Sequence, residues 1–147
     1  MIVKGKLINC KREEKTFGGR TTKEKLFITL AEVALTDKEK KECASVFADS
    51  GKKFTPDWVK DFKGYVNVST EFALPYRNKA NKDYPEEGVS IEELIKSGFP
   101  WVGAEVSVSL NLKNSDNNNA IYPNSIIINT EGKAFNPFAE FDNMEED

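Results

Sequence analysis

The chain has 147 residues, 39% hydrophobic and 31% charged, with a formal net charge of −3; it can bury the core of one ordinary domain, and no apolar run is long enough for a membrane helix. It has no histidine and two cysteines, Cys10 and Cys43, too few ligands for a zinc site and no Ser-His or Cys-His dyad for catalysis near neutral pH. No phosphate loop, G-x-S-x-G elbow or paired metal-binding aspartates occur, so the expectation is a binding protein with no cofactor, no metal and no turnover.

In chain order, residues 2–10 are rich in Ile, Val and Leu and predict a first strand. Lys4 and Lys6 break the apolar start, so no leader peptide is read there and a cytoplasmic location is expected, with both cysteines as free thiols. Residues 11–23 form a polar loop around Gly18-Gly19. Leu26, Ile28 and Leu30 then alternate with Phe27 and Thr29 as a second strand, so the two strands make a long hairpin with a basic tip. Thr36-Asp37-Lys38-Glu39 has capping-box spacing and opens a helix towards Ala48, and Thr55-Pro56 starts a shorter one.

From Tyr65 a third strand sets Val66, Val68, Thr70, Phe72 and Leu74 on one face. Pro75 to Gly88 is a polar loop, and Ser90-Ile91-Glu92-Glu93 caps a short helix that stops at Gly98. Val106, Val108, Leu110 and Leu112 alternate strictly with polar residues as a fourth strand. An Asn-rich turn at 115–119 leads into a last strand, Ile121 to Ile128. The order predicts a mainly β chain: a five-stranded OB-fold-like Greek-key barrel with a helical insert between strands 2 and 3 and a short helix between strands 3 and 4. The domain is read as residues 1–134, followed by a flexible acidic tail at 135–147.

The charge total conceals an asymmetry. The last eight residues carry five acids and no base; without them the chain has 21 basic and 19 acidic residues, and the first 35 residues hold eight bases against four acids. Proteins that bind single strands combine phosphate-neutralising bases with aromatic platforms for the bases. The hairpin offers Lys11, Arg12, Lys15, Phe17, Arg20, Lys23 and Lys25, and the outward face offers Phe27 and Tyr65 unless Trp58 and Phe62 of the insert cover them. The second polar loop repeats the texture with Tyr76, Arg77, Lys79 and Lys82, and Tyr122 lies on the last strand. In the tail, Phe138 and Phe141 interleave with Asp142, Glu145, Glu146 and Asp147, a pattern suited to docking in a partner's basic groove.

The hairpin Asn9 to Thr29, the stretch Gly98-Phe99-Pro100-Trp101-Val102-Gly103-Ala104-Glu105-Val106-Ser107-Val108 and the stretch Ala120-Ile121-Tyr122-Pro123-Asn124 resemble phage-encoded single-stranded-DNA-binding proteins. The resemblance covers nearly the whole chain through element order and texture. It implies an OB-fold, sequence-independent binding of single-stranded DNA, a role in replication or recombination, and a tail that recruits other proteins. One departure is the ending: such tails often close on an aromatic residue, or on Ile-Pro-Phe in bacterial relatives, whereas this sequence closes Met144-Glu145-Glu146-Asp147. The alternatives are an RNA-binding OB or cold-shock-like protein, which composition does not separate from a DNA binder, and a protein-interaction barrel with no nucleic-acid role.

Overall fold

Strict alternation in the sequence becomes strand pairing in the computed structural model, which describes residues 1–17, 19–21, 23–48, 55–115 and 118–132. A long first strand, β1 (Ile2–Glu13), leads to a two-residue pair at the hairpin tip, β2 (Thr16–Phe17) and β3 (Arg20–Thr21), and returns as β4 (Lys25–Ala31). The helical insert follows as α1 (Asp37–Ala48) and α2 (Asp57–Lys60). Then come β5 (Val66–Thr70), β6 (Tyr76–Asn78), β7 (Glu87–Gly88), α3 (Ile91–Lys96), β8 (Ala104–Ser115) and β9 (Asn118–Ile128). Seven strands form one mixed sheet in the order β5-β4-β1-β8-β9-β6-β7, in which β6 runs parallel to β9 and every other pair is antiparallel.

All five expected strands are present with the insert and the short helix between them, but the expected count and closure need correction. The third strand, expected to run unbroken from Tyr65 to Leu74, is broken after Thr70. Only Val66–Thr70 of it forms a strand, β5, beside β4 at one end of the sheet; β6 beside β9 and β7 beside β6 form within Pro75 to Gly88, the stretch expected to be a polar loop, and the sheet is not closed by a continuous ladder. The break has local causes. The Phe72 N–H is used by Thr70 Oγ1 at 3.1 Å, the Glu71 and Phe72 carbonyls accept from the Arg12 guanidinium at 3.4 and 3.3 Å, and Pro75 has no N–H to give.

The core follows the period of two. Leu26, Ile28 and Leu30 of β4 meet Val66 and Val68 of β5, Leu7 of β1, Val106 and Val108 of β8, and Ile126 and Ile128 of β9, all buried. Helix α3 adds Ile91 and Leu94, its start fixed by a capping box on Ser90 and Glu93. Helix α1 starts on the anticipated box: Thr36 Oγ1 accepts from the Glu39 N–H at 3.1 Å, and Glu39 returns a carboxylate to the Thr36 N–H at 3.0 Å. Those bonds hold the Glu39 carboxyl below its ordinary range. The Asn-rich turn, read as a plain turn, has a further use. Asn119 Nδ2 donates to the Val46 carbonyl at 2.6 Å and Asn114 Nδ2 to the Ser45 carbonyl at 3.3 Å, satisfying acceptors that the last turn of α1 leaves open. Cys10 and Cys43 are buried free thiols, and burial pushes Cys10 up to about 12, far from thiolate chemistry.

Arg12 corrects the charge reading of the hairpin. It shares the inner face with Cys10 and ion-pairs with Glu92 of α3, with Nη2 2.8 Å and Nε 2.9 Å from the same oxygen. A guanidinium with four of its five N–H groups fastened to a carboxylate and two carbonyls is a structural clamp and keeps a single donor for any other partner. Replacing Arg12 with Met should therefore lower stability by about 1–3 kcal/mol, as expected for hydrogen bonds to a charged group, whereas Lys11→Met, on an exposed side chain, should stay within about 0.5 kcal/mol; urea midpoints at constant slope distinguish the two. The Arg12 bond also holds Glu92 below its ordinary 4.5. A lowered folded-state value means the contribution is fully present above that pH and is lost as pH falls through the folded value. Acid titration of stability should show this component in the parent and not in Glu92→Gln.

Candidate nucleic-acid interface

Burying Leu26, Ile28 and Leu30 forces Phe27 and Thr29 to the outside of β4, and the register sets their neighbours. Phe27 lies between Lys11 of β1 and Ser69 of β5, and Thr29 between Asn9 and Asn67. The Phe27 ring is half-buried beneath Lys15, whose Nζ stands 4.0 Å from its centroid, a cation–π contact. The Thr29 hydroxyl donates to Asn67 Oδ1 at 2.7 Å. Tyr65, just before β5, is half exposed.

Among the described residues the insert stands beside this face as a wall. A cavity of about 460 Å³ separates Phe27, Thr29, Asn67 and Ser69 from Pro56 and Trp58 of the insert and from residues 119–121 of β9. Trp58 is 7% exposed, while Phe62 turns to Lys40, whose Nζ lies 5.6 Å from its ring. A second depression of about 260 Å³ adjoins the first, with Ser69 and Ala120 lining both. It brings together Lys25, Phe72, Lys113 and Tyr122. Phe72 is 76% exposed, and the Tyr122 hydroxyl accepts from Asn111 Nδ2 at 2.9 Å. The charge is not uniformly positive: Glu13 lies 3.9 Å from Lys11 and 3.8 Å from Lys15, and Glu71 lines the second depression.

Of the residues singled out in the sequence, Lys15, Lys25, Phe27 and Tyr122 line this groove. Lys11 and Tyr65 are exposed on the same outward face, and Lys23 is exposed at the hairpin tip. Arg77, Lys79 and Lys82 are exposed elsewhere, and Arg77 lines a separate depression. Two residues are corrected: Arg12, clamped as above, and Tyr76, which is 2% exposed in the core. Tyr76 is on the inner face of β6, its ring packed so closely under Gly88 that a Cβ there would lie 2.5 Å from Cε1. The side chains of Phe17 and Arg20, and the tail residues Phe138, Phe141, Asp142, Glu145, Glu146 and Asp147, lie outside the described residues.

Three lining residues were not selected from sequence. Lys113 was legible, because the alternation that turns Leu110 and the partly buried Leu112 inward puts Lys113 with Asn111 on the outside. Trp58 entered the sequence reading as a cover and is a wall. Phe72 carried the wrong signal: alternation placed it inward, and only the turn after Thr70 faces it out. Among the described residues no group of three or more His, Cys, Asp and Glu is placed to hold a metal, and no helix is long and apolar enough to cross a membrane.

No protein-family model and no curated protein sequence matches the chain. Among solved structures, the single-stranded DNA-binding protein from bacteriophage Enc34 aligns with 92% of this chain and 84% of its own, at 16% identity and a TM-score of 0.41. At that distance the likeness transfers no activity.

The Tyr76 hydroxyl is buried with no hydrogen-bond partner among the described residues, and burial raises its pKa, with Glu93 adding to the effect. A buried, unpaired hydroxyl costs about 1–3 kcal/mol. Tyr76→Phe should therefore raise the thermal midpoint; a fall would show that the hydroxyl has a partner in solution.

Proposed function

We propose that the chain is an OB-type barrel that binds single-stranded DNA, without strong sequence preference and without turnover, along the groove over β4 and β5. The observation that carries this reading is the meeting of four rings, Phe27, Trp58, Phe72 and Tyr122, with Lys15, Lys25 and Lys113 around two adjoining depressions. Bases stack on aromatic faces whatever their identity, and lysines neutralise the backbone between them. A duplex keeps its bases paired inside and offers no face to such rings. The strand order supports the barrel class: an antiparallel meander of the first three long strands, a helix, then a hairpin whose last strand runs parallel to the continuation of the third. In OB-folds this second-and-third-strand face, flanked by the loops at either end, takes oligonucleotides.

The acidic tail, with Phe138 and Phe141 among its carboxylates, is proposed to recruit replication or recombination proteins. That part rests on sequence alone: apolar anchors spaced within a run of negative charge complement a basic groove on another protein.

Titration with oligo-dT, oligo-rU and duplex DNA across a salt series tests the reading, and tryptophan emission should report it because Trp58 lines the groove. Oligo-dT should bind far more tightly than duplex of equal length, and equal affinities would refute stacking. Phe27→Ala and Phe72→Ala should each weaken binding by about 5- to 150-fold, the equivalent of about 1–3 kcal/mol per stacked base, with little change in salt slope. Lys25→Ala and Lys113→Ala should each flatten the slope of log K against log salt by about 0.7, the loss of one single-strand phosphate contact.

A further inference from the structure

A third depression, of about 610 Å³, is left over by the groove just described. It is lined by Pro75 to Arg77, by residues 125–127 of β9 and by Glu87 to Val89. Its place in the fold is informative. Two lengths of chain line the three depressions in turn: residues 67–69 with 119–121 line the first, 69–72 with 120 and 122 the second, and 75–77 with 125–127 the third; at the last they are paired directly, Tyr76 with Ile126, Arg77 with Ile127 and Asn78 with Ile128. The three depressions therefore follow one another along these two lengths of chain, a seam that ends where β6 is paired with β9.

We infer that the bound single strand continues along this seam into the third depression, which forms a distal part of the binding site. The inference rests on the function proposed above and adds residues to it. Arg77 is exposed, and its side chain has no ion pair or hydrogen bond among the described residues, so its guanidinium is available to a phosphate. Val89 is 74% exposed and Ile127 is half-buried; together with Pro75 they offer apolar surface to a sugar or base. Glu87 stands opposite Arg77 in the β6–β7 register, which keeps this stretch from becoming a purely electrostatic trap. From Ser69 to Arg77 is eight residues, at most about 28 Å of extended chain, so strand length is what separates the proximal and distal parts.

The experiment is a length series of oligo-dT from about 4 to 16 nucleotides, the range over which single OB barrels set their site size, against the full chain, Arg77→Ala and Val89→Glu. Both substitutions are at exposed positions, and thermal midpoints confirm folding. For the shortest oligomer that binds, all three proteins should have the same affinity. Beyond a threshold length the parent should gain affinity that both variants lack, and the Arg77→Ala salt slope should fall by about 0.7 for long strands alone. Variants that match the parent at every length overturn the inference and leave the proximal groove standing. Variants equally weakened at every length also overturn it, because Arg77 and Val89 then do not form a separate distal part. If the parent binds no oligonucleotide of any length, the function proposed above fails, and the inference with it.

Discussion

A sheet that brings its two edges side by side must pass one length of chain from one edge to the other, and here the passage runs from Thr70 to Tyr76. Before it the chain is β5, paired with β4; after it the chain is β6, paired with β9. Residues 71–74 of that passage lie outside the strands, so their backbone groups need other partners. Arg12 supplies two of them from the inner face of β1 and is itself held by Glu92. One charged cluster thus joins the first long strand, the crossing and the short helix. It also fixes the turn that faces Phe72 outward.

The outward face is available because the insert is tied down elsewhere. Helix α1 buries Cys43, Val46 and Phe47, and Asn114 and Asn119 of the β8–β9 hairpin hold its final carbonyls. Anchored at that end, the described part of the insert faces β4 and β5 across the first depression with Phe47, Pro56 and Trp58, which form a wall and leave Phe27 and Ser69 half-buried. A cover would have needed apolar residues on the outward positions of β5. Those positions are Asn67 and Ser69, and they bury nothing that would repay their desolvation.

Basic residues in this fold do three different things, and composition cannot tell them apart. Arg12 is consumed by structure. Lys11 and Lys15 share Glu13 at nearly 4 Å, loose pairs that solvent screens and that a phosphate can displace. Lys25 and Lys113 stand at the rim of an aromatic depression. The positive balance near the start of the chain was therefore a fair pointer to a surface, but the residues that form it are distributed over β4, β8 and the hairpin.

Sequence by itself determined the features that depend on neighbours along the chain. Period two located the strands at β4, β5 and β8 and the face that Phe27 occupies, apolar runs located β1 and β9, capping boxes located the starts of α1 and α3, and the two cysteines were legible as free thiols. Tertiary structure alone decided what distant segments do to one another. It ended the third strand at Thr70 and made strands of part of the expected loop, sent Phe72 out and Tyr76 in, took Arg12 away from solvent, and set Lys113 and Trp58 beside rings far from them in sequence. The physical reason is that alternation is a local property of a pleated strand, whereas the place where that strand breaks is set by hydrogen-bond partners from other segments: a guanidinium on β1 and the β9 edge.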